Sequence, residues 1–156
     1  MKDYIYSPNE LLEMALKIEK DGVTFYSYLS KNSKDSKRKE FFSYLASQEE
    51  QHIKDFKAIS SGLIDDVEPE FWDEASKYIQ SLVEGKIFPS AEDMIEKSKG
   101  MNVDQILDSA IGVEKETVIF YEELFDLVRA KKSKEILSKI IREEVGHVRK
   151  LSMLKE

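Results

Sequence analysis

Gln48-Glu49-Glu50-Gln51-His52 and Glu143-Glu144-Val145-Gly146-His147 hold the only two histidines of this chain, and each stretch ends a Glu-x-x-His step. Residues three apart on a helix share a face. Glu49 with His52, and Glu144 with His147, therefore each present a carboxylate and an imidazole together. Such a pair is half of a transition-metal site. Two halves, each joined to one more inward Glu, are the parts of a carboxylate-bridged two-metal centre inside a helical bundle.

The two stretches belong to a longer repeat with a constant offset of 95 residues. Leu12, Ala15, Glu19, Lys20, Val23, Phe25, Tyr26 and Leu29 return as Leu107, Ala110, Glu114, Lys115, Val118, Phe120, Tyr121 and Leu124. Lys39, Glu40, Ser43, Glu49 and His52 return as Lys134, Glu135, Ser138, Glu144 and His147. No gap is needed. A repeat of this length is one helix pair used twice.

Apolar residues recur with helical period through all four long segments. Ser7-Pro8-Asn9-Glu10 reads as a helix start. The stripe from Leu12 to Leu29 runs to about Lys31, and Asn32 to Ser36 reads as a turn. A second helix follows, ended by Ser60-Ser61-Gly62. The third carries Ile106 to Val128, and the fourth, from about Ser133, carries Leu137 to Leu154. At 1.5 Å per residue each spans about 35–40 Å. Residues 61–103 lie outside the repeat. Phe71 to Glu84 suggests one short helix there, and the capping pattern Ser90-Ala91-Glu92-Asp93 another. A connection this long is explained if it travels back along the whole bundle. The expected fold is all-α: a single domain of two antiparallel hairpins, 8–60 and 104–155, joined by a long helical crossover, 61–103.

Composition narrows the function classes. With 156 residues the chain makes one domain, and with no cysteine it has no disulfide, thiolate metal site or thiol nucleophile. A net charge of -7 argues against nucleic-acid binding through a basic face. No apolar run approaches a membrane span and no signal peptide precedes the first helix, so a cytoplasmic protein is expected.

Glu19 and Glu114 each interrupt an apolar stripe at its middle. A buried carboxylate must be protonated, paired or metal-bound. Two divalent cations would neutralise four carboxylates, and carboxylate oxygen with imidazole nitrogen suits iron, manganese or zinc. The expected assignment is Glu19 and His52 on one metal, Glu114 and His147 on the other, with Glu49 and Glu144 bridging. Tyr26 and Tyr121 follow Glu19 and Glu114 by two turns and face inward. They are expected to hydrogen-bond a ligating carboxylate, to act as redox-active phenols, or to fill the core. Glu50, Glu143, Glu116, Glu122 and Glu123 fall off the stripes and read as solvated charges. Phe71 and Trp72 are expected to cover the bundle surface or a dimer interface.

The pattern Glu19…Phe25-Tyr26, Glu49-x-x-His52, repeated as Glu114…Phe120-Tyr121, Glu144-x-x-His147, resembles the ferritin-like superfamily. Within it the chain is similar to the di-iron domain of rubrerythrins, over about residues 8–60 and 104–155. The resemblance implies a non-haem di-iron carboxylate protein with two iron ions. The expected activity is an oxidoreductase that reduces peroxide or dioxygen, or oxidises ferrous iron. An iron-binding or storage module, a di-manganese catalase-like enzyme and a metal-stabilised structural bundle remain alternatives. Typical rubrerythrins carry a rubredoxin domain with four cysteines. This chain has no cysteine, so electrons are expected from a separate donor protein, and a homodimer is expected. Typical rubrerythrins also have another Glu one turn after the third-helix ligand, where this chain has Thr117. That departure argues against rubrerythrin-type peroxidase chemistry and brings the Glu set closer to the symmetric sites of bacterioferritins.

Overall fold

A computed structural model describes residues 8–59, 74, 77–81 and 88–155. The described residues form helices and connections without a strand. Helix α1 spans Pro8–Asn32, α2 Ser36–Ala58, α3 Ala91–Ser98, α4 Val103–Leu127 and α5 Lys131–Met153. In the crossover, residues 77–81 are also helical, and Ile79 is fully buried against the bundle. Phe71, Trp72 and the Ser60-Ser61-Gly62 stop lie outside the described residues.

The helix starts follow from local chemistry. Asp35 caps α2 by accepting from the Arg38 backbone N–H. Ser90 caps α3 through the Asp93 N–H. Asn102 and Gln105 form a reciprocal capping box at α4. Helix α5 starts at Lys131, two residues before the start expected at Ser133. Its N-cap is Ala130, which has no side-chain oxygen, so the true start carries no sequence signal. Ser133 is instead buried in the first turn.

Helix α1 packs along α2, and α4 along α5. Two apolar cores lie at opposite ends of the bundle. One gathers Leu11 and Ala15 of α1, Phe56 of α2, Phe120 to Leu127 of α4, and Leu137 to Ile141 of α5. The other gathers Phe25 and Leu29, Phe42 and Leu45, Leu107 and Ala110, and Leu151. The start of α1 thus meets the ends of α2 and α4 and the start of α5. Helices α1 and α5 run one way and α2 and α4 the other, which requires the connection from α2 to α4 to cross the length of the bundle. Between the cores lies a belt of buried polar residues: Glu19, Glu49, His52, Glu114, Glu144 and His147. Burying a Leu or Phe contributes about 1.5–3 kcal/mol. An ion kept from water costs several kcal/mol unless it is well paired.

Candidate metal centre

Each of the four long helices brings its part of the belt to mid-height. Glu19, at 0 % exposure, comes from α1, and Glu49 and His52 come from α2. Glu114 comes from α4, and Glu144 and His147 from α5. Among the described residues no Lys or Arg is buried, so the only basic side chains inside with these carboxylates are the two histidines. The donor atoms fall into two overlapping groups. Glu19, Glu49, His52 and Glu144 offer one set, and Glu49, Glu114, Glu144 and His147 the other. Within each set the ligand atoms lie within 4.8 Å of one another, close enough to hold a metal ion. Only Glu49 and Glu144 occur in both.

The imidazoles sit face to face, with ring centroids 5.8 Å apart. His52 Nδ1 lies 2.8 Å from Glu144 Oε1, 3.4 Å from Glu19 Oε2 and 3.7 Å from Glu49 Oε2. His147 Nδ1 lies 3.1 Å from Glu144 Oε2, 3.3 Å from Glu49 Oε1 and 3.9 Å from Glu114 Oε1. Several of these buried atoms make no aligned hydrogen bond: Glu19 Oε2, Glu49 Oε1, Glu144 Oε1 and His52 Nδ1. Convergent carboxylate oxygens and imidazole nitrogens that protein donors leave unsatisfied are what a divalent cation takes up. The donor set therefore fits a pair of metal ions.

Proton positions express the same charge problem. Burial disfavours a protonated imidazole, yet hydrogen bonds and charge from Glu144 and Glu49 raise His52 to about 11. Burial opposes His147 in the same way, and the same two carboxylates lift it to about 10. Burial alone would push Glu49 up, but the two imidazoles outweigh it and hold its carboxyl below the usual range. Glu144 is likewise lowered against burial and the charge of Glu49, by bonds with Glu114, His147 and His52. Glu114 goes the other way, raised by burial and by the Glu144 and Glu49 charges. Without a metal, protons on the two histidines offset part of the charge of the carboxylates. A metal must displace them.

Both tyrosines reach across the bundle. Tyr26 Oη donates to Glu114 Oε1 and Tyr121 Oη to Glu19 Oε1, each at 2.6 Å. Each phenol thus holds the lone carboxylate of the opposite repeat; Glu19 turns its Oε2 to the cluster, 3.4 Å from His52 Nδ1, and Glu114 Oε1 lies 3.9 Å from His147 Nδ1. Burial, then neighbouring carboxylates, pushes both phenols well above their ordinary value, so they remain protonated donors.

Glu143 departs from its reading as a solvated charge. Its Oε2 lies 2.7 Å from His52 Nε2, and its side chain is 28 % exposed. It sits one residue from Glu144, off the apolar stripe of its own helix, but it points at a histidine on α2. Single-helix periodicity carries no information on such a contact. The sequence did contain one signal: the repeat pairs Glu143 with another polar hydrogen-bonding residue, Gln48. Glu50, by contrast, is exposed.

A cavity of about 30 Å³ reaches the cluster between α1 and α4. Gly22, Tyr26, Glu49, Phe88, Glu114 and Thr117 are among its lining residues. A Cβ on Gly22 would stand 3.3 Å from Glu49 Cγ, so the glycine makes room for that carboxylate. Thr117, its repeat counterpart, is buried, and its hydroxyl donates to the Val113 carbonyl at 2.8 Å.

No helix among the described residues is long and apolar enough to cross a membrane. Among curated proteins none matches this chain significantly. A solved structure from Thermotoga maritima, described provisionally as a ferritin-like diiron-carboxylate protein, superposes with a TM-score of 0.71 at 25% identity, covering 99% of this chain and 97% of that one. The fold is accordingly the ferritin-like four-helix bundle. The rubrerythrin family profile matches residues 10–155, nearly the whole chain, and the protein belongs to the rubrerythrin family.

Proposed function

We propose that this protein is a non-haem di-iron oxidoreductase that reduces peroxide or dioxygen. Glu19 and His52 would hold one iron and Glu114 and His147 the other, with Glu49 and Glu144 shared. The observation that carries this reading is the overlap of the two donor groups at Glu49 and Glu144. Two carboxylates common to two donor sets suit a metal pair, whereas a single ion held by either set would leave two of the six donors without a role. The nitrogen and oxygen donors suit manganese as well as iron; the diiron description of the Thermotoga structure favours iron. A ferrous pair bound there supplies two electrons at one place.

The chain's own residues supply the rest. Tyr26 and Tyr121 orient Glu114 and Glu19 through their 2.6 Å hydrogen bonds. The apolar cores above and below exclude water. The cavity of about 30 Å³ beside Gly22 and Thr117 gives a small oxidant room next to Glu49 and Glu114. With no cysteine in the chain, the returning electrons would come from a separate protein, and the reading extends to a cytoplasmic homodimer.

The test is anaerobic loading with ferrous iron, followed by rapid mixing with peroxide or with oxygen. Two irons per chain should oxidise, seen as near-ultraviolet ferric absorption, far faster than free ferrous iron, and remain bound through gel filtration. Oxidation no faster than that of the free ion would remove the proposal. Fast oxidation with release of the iron would make ferrous iron the substrate and the protein a ferrous oxidase.

A further inference from the structure

The inner donors obey the 95-residue repeat, but the groups behind them do not. Behind His52 stands Glu143, 2.7 Å from Nε2. Lys139 Nζ lies 3.8 Å from Glu143 and 3.8 Å from Asp55. Behind His147 the repeat has Gln48 for Glu143, Tyr44 for Lys139 and Lys150 for Asp55. There Lys150 Nζ donates to Tyr44 Oη at 3.0 Å and lies 4.6 Å from its ring centre. His147 Nε2 is buried and has no hydrogen-bond partner among the described residues. Both sets bridge α2 and α5. At their formal charges, Glu143, Lys139 and Asp55 carry one net negative charge. Gln48, Tyr44 and Lys150 carry one net positive charge.

We infer that the two metal positions are unequal, and that Glu143 is the positioning residue that makes the His52 position the tighter one. This rests on the two-metal reading above. A carboxylate that accepts from one imidazole nitrogen fixes the tautomer, leaves the other nitrogen for the metal and raises its basicity. His52 has that arrangement: Nε2 faces Glu143 while Nδ1 faces Glu19, Glu49 and Glu144. His147 presents Nδ1 to its carboxylates, and no described residue holds Nε2. The more negative surroundings of the His52 position also favour a cation there, although the exposed Lys139 and Lys150 are screened by solvent and add less than the half-buried Glu143. The first metal therefore fills the His52 position, and the second enters at His147.

The probe is cobalt(II), titrated anaerobically into the metal-free chain. Absorption reports occupancy, and paramagnetically shifted exchangeable imidazole N–H resonances report each histidine. Wild type should bind two equivalents in two steps, with one shifted N–H resonance growing over the first equivalent and another over the second. Glu143→Gln should weaken the first step by about 10–100-fold and move the early resonance, leaving the late one in place. Gln48→Glu should do the reverse, tightening the second step and moving only the late resonance. It also keeps the inference testable should Glu143→Gln fold poorly. If Glu143→Gln leaves the first step unchanged, or moves the late resonance, the inference is overturned while the two-metal reading stands. Failure of wild type to bind a second equivalent would overturn both.

Discussion

Tyr121 illustrates how a side chain belonging to one repeat completes the other. Its hydroxyl is the hydrogen-bond partner of Glu19 Oε1, and both residues have 0 % exposure. Removing the hydroxyl leaves a buried carboxylate oxygen without its donor, a cost of about 1–3 kcal/mol. Tyr121→Phe should lower unfolding free energy by that amount in urea denaturation of the metal-free protein; an unchanged midpoint would mean the phenol only fills space. The adjacent glutamates give a sharper comparison. Glu49 is buried between both imidazoles, whereas Glu50 is exposed. Glu49→Ala should abolish binding of the second metal equivalent, and Glu50→Ala should retain both with a stability change within about 0.5 kcal/mol. Metal analysis after gel filtration decides it, since equal loss from the two variants would mean Glu49 is not shared. At this scale the sequence showed Glu19, Glu49, His52, Glu114, Glu144 and His147 because each lies on an apolar stripe, and a charge on such a stripe must be explained. Beyond the polar repeat counterpart Gln48, nothing in the sequence marked Glu143, because its partner lies on another helix and the crossing of α2 with α5 is written in no local period.

Helices α2 and α5 are counterparts in the repeat, yet they begin differently. Asp35 caps α2 through the Arg38 N–H, and the residue 95 positions later is Ala130. Ala130 already has the extended backbone of a cap, φ -64 and ψ 125, and its carbonyl accepts from the Lys134 N–H at 3.0 Å. It is exposed and lacks only a side-chain acceptor. Ala130→Asp should therefore restore what the first hairpin has and stabilise the protein by about 0.5–2 kcal/mol. The carboxylate also meets the positive end of the α5 dipole. Calorimetry of the variant beside wild type measures it, and a lowered melting temperature would mean that the first turn of α5 is constrained by something other than its missing cap. The helices themselves were legible from apolar periodicity. Their ends were legible only where a capping side chain exists, as at Ser90 and Asn102, and the start of α5 was misplaced for want of one.

Across the whole molecule, two apolar cores are separated by a charged waist. The opposed directions of the four long helices follow from a single long crossover, and the repeat makes the halves meet at Glu49 and Glu144. That arrangement links fold stability to metal. Protons on His52 and His147 offset part of the carboxylate charge without metal, but Glu19 Oε2, Glu49 Oε1 and Glu144 Oε1 have no hydrogen-bond partner among the described residues. Metal binding satisfies those atoms only in the folded chain, where four helices bring them together. It should add about 3–4 kcal/mol at free metal 100–1,000 times the dissociation constant. For a domain of this size, each kcal/mol moves the midpoint by about 2–4 °C, so exhaustive chelation should lower the melting temperature by about 6–16 °C. Restoring ferrous iron or cobalt(II) under anaerobic conditions should recover it. Magnesium should not, because it prefers oxygen donors and keeps its water, and each donor set here includes an imidazole. A melting temperature indifferent to chelation would mean that the waist is held by its protons alone, and that the convergence of four carboxylates and two histidines is structural.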